Sequence, residues 1–259
     1  MLYTHYVKTR DLRIFEILRM HAIFETYYDH GPIDTFMRDL TKKDGVFLVR
    51  RKKDQGIVGF STLGIYHFEH EGRRVKGLFS GDTIIEKAYW GSRTLQTAFA
   101  RKLLIEALKR PFSKQYWLLI SKGYKTYLLL ARNFPTYYPD HRQEHAGLKD
   151  LVVNYCEQLY PGHLDQERMV LTFGEQANCL KEEVAPITEA LRQADPAIDF
   201  FAQRNPLWAQ GHELPCVAQA DLWTFAKAIW PFLWKALRGS PAARPQPTAA
   251  RDTASGANP

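Results

Sequence analysis

The chain has 259 residues, 35 Lys+Arg against 28 Asp+Glu for a formal net charge of +7, and 45% hydrophobic residues. Such a chain can bury a core as one large or two small domains, which excludes collagen, a coiled-coil rod and a mostly disordered chain. Three cysteines, Cys156, Cys179 and Cys216, with no CxxC pair, argue against a disulfide-rich secreted domain and for a reducing, cytoplasmic setting.

Met1 to Arg10 is polar and aromatic, without the apolar run of a signal peptide, and no stretch reaches the ~18 apolar residues of a bilayer span. Residues 12–23 read as a helix capped by Thr9 or Asp11, with Leu12, Phe15, Leu18, Ala22 and Ile23 on one face. Gly31-Pro32 breaks it, and a short helix follows from Asp34 to Leu40. The period then shortens. Val46–Val49, Ile57–Phe68 and Val75–Ile85, separated by turns at Lys52–Gly56 and Glu71-Gly72, predict three antiparallel strands. After Gly91, Leu95, Ala98, Phe99, Leu103 and Ala107 line one face of a helix that ends before Pro111. Tyr116–Ile120 reads as a buried strand and Tyr124–Arg132 as a helix stopped at Asn133-Phe134-Pro135.

Beyond Asp140 the pattern is mostly helical. A helix capped by Asp140 runs to about Leu159, a strand covers Val170–Phe173, and a second helix covers Leu180–Gln193. Asp221 caps an aromatic segment over 222–238 that holds Trp223, Trp230 and Trp234 among Lys227, Lys235 and Arg238, suited to a helix packed on the domain or on a second subunit, or to a membrane surface. Residues 239–259, rich in Pro and Ala, read as a disordered tail. The basic residues fall in short groups, Lys42-Lys43, Arg50 to Lys53 and Arg73-Arg74-Lys76. They suit a solvated face or an anionic small molecule rather than nucleic acid.

Two constellations carry chemistry. Asp82 lies in an otherwise apolar strand, Leu78–Ile85, where a carboxylate needs a cleft or a partner; it is a general base or a hydrogen-bonded structural residue. Glu86 shares its face of the strand and is the second candidate. His141-Arg142-Gln143-Glu144-His145 spells H-x-x-E-H, which would serve a zinc hydrolase if a third ligand, such as Glu213, approached it. An exposed polar helix start is the plainer reading.

Three stretches resemble the GNAT-type N-acyltransferases over residues 10–138: "GVFLVRRKKDQGIVGF" (Gly45 to Phe60), "DTIIEKAYWGSRTLQTAFARKLL" (Asp82 to Leu104), and "YWLLI" with "LLLARNF" (Tyr116 to Phe134). The resemblance implies an α/β (α+β) fold with a mainly antiparallel central sheet flanked by helices. The domain that carries it is expected at 1–139, and the helical pattern beyond makes 140–238 a mostly helical extension packed on it. The resemblance also implies transfer of an acetyl or longer acyl group from acyl-CoA, or an acyl carrier protein, to a small-molecule amine, with no metal ion. Asp82 or Glu86 would be the base and Tyr124 the acid, with Tyr127 and Tyr138 as substitutes, since Leu129 stands where the family has its acidic Tyr. Ile84, Ile85, Gly91, Ser92, Arg93, Thr94 and Leu95 would hold the donor. The family loop is richer in glycine; here Trp90, Arg93 and Leu95 occupy those places and only Gly91 remains. A non-catalytic binding protein of the same fold is the alternative.

Overall fold

The structure is a computed structural model that describes residues 1–227 except 175–177, 182, 183 and 185. In chain order the elements are β1 (Leu2–Lys8), α1 (Ile14–Tyr27), β2 (Tyr28–Asp29), α2 (Ile33–Leu40), β3 (Gly45–Arg51), β4 (Ile57–His70), β5 (Arg73–Ile85), α3 (Thr94–Leu108), β6 (Gln115–Ser121), α4 (Tyr124–Asn133) and β7 (Tyr137–Tyr138). Then come α5 (Lys149–Leu159), β8 (Leu164–Asp165), β9 (Val170–Leu171), β10 (Cys179–Leu180), α6 (Glu189–Ala194), α7 (Pro196–Arg204) and β11 (Leu214–Gln219).

Seven strands form one sheet in the order β1-β3-β4-β5-β6-β11-β7. Every neighbouring pair is antiparallel except β5 and β6, which run parallel and are joined by the crossover helix α3. The sheet is covered on both faces, and strand alternation decides which side chain goes where. Phe47 and Val49 of β3 pack with Leu95, Phe99 and Leu103 of α3. Val46 and Leu48, between them, pack with Met20, Ile23 and Phe24 of α1 and Phe36 of α2. Farther along, Leu118 and Val217 meet Leu151, Val152 and Tyr155 of α5. The expected mixed α/β class, mainly antiparallel and flanked by helices, is the class observed.

Several element expectations change. Met1 to Arg10 carries a strand, paired with β3 from Leu2↔Arg51 to Lys8↔Gly45. Its residues are half-buried on both faces, so it has no clean apolar alternation to announce it. In α1 the buried face is Glu16, Met20, His21, Ile23, Phe24 and Tyr27, while Phe15 and Leu18 are 55% and 53% exposed. Apolar residues stand on both sides of this helix, and its ion pair from Glu16 to Arg50 of β3 helps fix which side meets the sheet. The cap is Arg13, not Thr9 or Asp11: Glu16 Oε2 accepts from the Arg13 backbone N–H at 2.8 Å. Asp140 caps no long helix. It is 3% exposed and ties a turn, and α5 begins only at Lys149. The helix expected over Leu180–Gln193 shrinks to α6, capped by Thr188 two residues after Pro186. The strand expected at Val170–Phe173 covers Val170–Leu171.

One compact unit spans Met1–Phe225. The sheet therefore crosses the boundary expected at 139: β11, from the segment read as a helical extension, lies between β6 and β7. Asp221 does start a helix, since its Oδ1 accepts from the Thr224 N–H at 2.9 Å. Residues 228–259, with most of the aromatic segment and the tail, lie outside the described residues. Among the described residues no helix is long and apolar enough to cross a membrane.

Candidate active site

The site follows from how β5 and β6 part. Their pairing runs from Lys76↔Gln115 to Ser80↔Leu119 and stops. Beyond that point β5 stays on β4, through Ser61↔Thr83 to Gly59↔Ile85, while β6 stays on β11 to Ser121↔Leu214. At the fork, Trp117 Nε1 donates to Ser80 Oγ at 2.8 Å. The β4–β5 register slips by one residue at the same place, since Ser61 to Leu63 faces Ser80 to Thr83; Gly81 and Asp82 form the bulge. Gly81 is required there: a β-carbon on it would lie 2.3 Å from Thr62 Oγ1.

The fork opens into a cavity of about 1040 Å³. Beyond Ser80 one edge of β5 faces it with no partner strand among the described residues, although Ile85 O and Gly81 O already accept from side chains. Because β5 and β6 are parallel, the helices that follow them both start here: Gly91, Ser92, Leu95 and Gln96 line the cavity at the head of α3, and Gly123, Lys125 and Thr126 at the head of α4. Helix N-termini present unpaired N–H groups and positive dipole ends, which suit phosphate. Gly91 has φ +86°, a left-handed value that costs a side-chain residue about 1–2 kcal/mol. Ser92 Oγ and Thr94 Oγ1 are 3.2 Å apart. Trp90 donates from Nε1 to Ile85 O at 2.8 Å, and Lys125 Nζ sits 4.7 Å from its ring centre.

Five charged side chains gather at the other end. Lys43 Nζ is 2.9 Å from Asp39 Oδ1, and Lys122 Nζ is 2.9 Å from Glu213 Oε1. Asp82 has no hydrogen-bond or ion-pair partner among the described residues. Burial, together with the negative charge of Asp39, pushes its carboxyl up to about 6, even though Lys122 and Lys43 pull the other way. It keeps some accessible surface on the cavity. Burial also raises Glu213 despite its lysine, and raises the phenols of Tyr28 and Tyr160, which line the same wall.

The anticipated residues divide. Asp82, Ile84, Ile85, Gly91, Ser92 and Leu95 line the cavity; Arg93, Thr94, Glu86 and Tyr124 do not. Glu86 pairs with Arg19 of α1 instead. Alternation of side chains along β5 would put it beside Asp82, but its backbone N–H bonds Val58 O just past the strand's end. Tyr124 packs against the core, Tyr127 is buried and donates to Pro139 O at 3.0 Å, and Tyr138 is half-buried in β7. Leu129 does line the cavity.

Asp39, Lys43, Lys122, Glu213, Tyr28 and Tyr160 do not read as one group in the sequence because five different segments bring them together. The available signals are a lysine directly after the last residue of β6 and a glutamate directly before the apolar run of β11. The H-x-x-E-H residues share no helix face. His141 Nδ1 meets Tyr137 OH and His145 Nδ1 meets Asp140 Oδ2, both at 3.0 Å, while Glu213 sits on Lys122. Asp140, Glu144 and His145 do bring ligand atoms within 4.8 Å of one another.

No family model and no curated protein matches the chain. Among solved structures it is similar to a conserved protein of Enterococcus faecalis described as "Probable N-Acyltransferase" (13% identity, TM-score 0.39), covering 49% of this chain and 31% of that one, so it spans about a third of that neighbour. It is also similar to ribosomal-protein-alanine N-acetyltransferase from Brucella melitensis (16%, TM-score 0.33; 45% and 80% covered). A third is the NatC complex bound to Gag peptide and CoA (14%, TM-score 0.35; 49% and 79% covered).

Proposed function

We propose that the protein transfers an acyl group from a thioester donor, acyl-CoA or an acyl carrier protein, to an amine, in the fork between β5 and β6. The observation that carries this reading is the fork: a freed strand edge leads from two helix N-termini to a bulge that holds an unpaired carboxylate. An extended arm bearing amide groups would add along the edge of β5 as a strand does. Its phosphates would lie at Gly91, Ser92 and the N–H groups of Leu95 and Gln96, and its thioester would reach Gly81 and Asp82.

The acceptor nitrogen then attacks the thioester carbonyl carbon, a C–N bond forms, the C–S bond breaks, and the thiolate leaves. An acceptor that arrives as an alkylammonium first loses one proton through Asp82 to solvent; once the free amine has attacked, its nitrogen gives a second proton to Asp82, and Asp82 passes that one to the thiolate. Raising Asp82 to about 6 lightens the uphill proton transfer from an alkylammonium by about 3 kcal/mol. The return step to a thiolate, whose thiol titrates at about 8.5, is downhill. Tyr28 and Tyr160, held above the ordinary phenol range, are weaker acids than protonated Asp82, so Asp82 serves both steps.

The test is incubation with acetyl-CoA and a set of primary amines, following free thiol release and the mass of the amine. Turnover should appear with at least one amine and fall about 100-fold or more in Asp82→Asn. Donor binding without turnover on any amine would favour a binding protein of this fold.

A further inference from the structure

At the end of the sheet opposite the fork, exposed apolar side chains stand among basic ones. With ~3.3 Å of rise per residue along β5, Lys76 lies about 20 Å from Asp82 and the cavity. Here α3 ends, a turn leads into β6, and the β4–β5 hairpin reverses at Glu71-Gly72. Lys114 Nζ is 3.1 Å from Glu71 Oε2, which ties that turn to the hairpin. Ile105 and Leu108, three apart on α3, are 40% and 56% exposed, and Phe112 in the turn is fully exposed. Arg73, Arg74, Arg101, Lys109 and Arg110 are exposed at the same end. The acids are outnumbered. Glu106 is shared by Lys76, Lys102 and Lys109, Glu71 takes Lys114, and Glu69 stands opposite Arg74 in the strand register. Burial and the charges of Arg74, Arg110 and Lys76 hold the His67 imidazole below its ordinary value, so those cations bear together on the hairpin. The Ala220 N–H donates to Gln115 O at 2.8 Å, so the chain leaves β11 at this end too, where Trp223 is 66% exposed.

We propose that this end of the molecule docks on an anionic lipid bilayer, with Ile105, Leu108 and Phe112 entering the interface and the surrounding arginines and Lys109 meeting the headgroups. The proposal is independent of the acyl-transfer reading. Charge and side-chain chemistry choose the occupant. A second copy of the chain meeting the same patch would set Arg73, Arg74 and Arg110 against their own copies, and like charges repel. Ile105 and Leu108 have no ring to stack on a nucleobase, whereas the acyl boundary of a bilayer takes aliphatic and aromatic side chains alike. Each basic residue beside a negatively charged leaflet adds attraction that fades within a Debye length. The fork, at the other end of β5, stays clear of the bilayer.

The test is co-sedimentation of the full chain with vesicles of phosphatidylcholine alone, and of phosphatidylcholine with about 30% phosphatidylglycerol, at about 0.1 M salt. The chain should bind the anionic vesicles about tenfold or more tightly than the neutral ones, and lose most of that preference at about 1 M salt. Phe112→Ser and Arg110→Glu should each weaken binding about tenfold or more. Both side chains are exposed, so the melting temperature should not change. Phe15→Ser is the control, since Phe15 belongs to another exposed apolar group, with Ile14 and Leu18 on α1; it should change binding less than about twofold. If either variant fails to fold, Leu108→Ser or Arg73→Glu takes its place with the same expectation. Equal binding to both vesicles, binding to neither, or undiminished binding by Phe112→Ser would overturn the proposal. Binding of a short DNA duplex, retained by Phe112→Ser while no vesicle binds, would assign the patch to nucleic acid and overturn it as well.

Discussion

At Asp82 burial and Asp39 oppose two lysines, and burial wins, leaving a carboxyl near 6 beside Lys43, Lys122, Glu213, Tyr28 and Tyr160. The folded state thus prefers Asp82 protonated. Its contribution to stability is complete below the ordinary carboxylate range and is lost as pH rises through about 6. Asp82→Asn should therefore melt above the wild type at pH 7.5, with the gap closing by pH 4; a lower melting temperature at pH 7.5 would refute the burial argument. Function runs the other way. kcat/KM of the wild type should rise with pH through about 6 as the base ionises, and the inflection should vanish in Asp82→Asn. The sequence did point to Asp82, because a carboxylate in an apolar strand is visible one residue at a time. The convergence of Lys43, Lys122 and Glu213 on it is not legible, since no local pattern says that a turn, a strand end and a strand start will meet.

The elements around the cleft are held by a few identifiable contacts. Glu106 of α3, 4% exposed, takes Lys76 of β5 at 2.9 Å and Lys102 and Lys109 at 3.2 and 2.6 Å. Burial alone would raise its carboxyl, yet the three lysines outweigh it and hold the group down at about 2. Its stabilisation is present above the ordinary glutamate range and is lost as pH falls through about 2. Glu106→Gln should cost about 3 kcal/mol at pH 7 by denaturant titration, with the loss shrinking below pH 4; a neutral substitution would show that the cluster is not holding α3. The Trp117–Ser80 hydrogen bond pins the fork from below, so Trp117→Phe should cost about 1 kcal/mol and weaken donor binding more than it weakens the fold. The long apolar runs made β3, β4, β5 and β6 legible. The helix α3 was legible because Leu95, Phe99, Leu103 and Ala107 keep a strict stripe. The buried face of α1 was not, because Phe15 and Leu18 compete with Met20 and Ile23 until contact with the sheet chooses.

For the whole molecule, the decisive step is the return of β11. Leu214 to Gln219 is short, contains a proline, and reads as nothing in isolation, yet it bonds β6 along its full length and joins β7 to the sheet. A chain cut after residue 139 should therefore fail to fold, giving a poorly dispersed proton spectrum, although it contains every stretch of family resemblance. It would lose the strand that covers β6 and, with it, Glu213. If the fork between β5 and β6 receives the donor, titrating the isotopically labelled full chain with acetyl-CoA should give saturable backbone amide shifts concentrated at residues 81–85 and 91–96. No shifts at millimolar acetyl-CoA, or shifts confined to residues away from the fork, would show that the donor does not bind there.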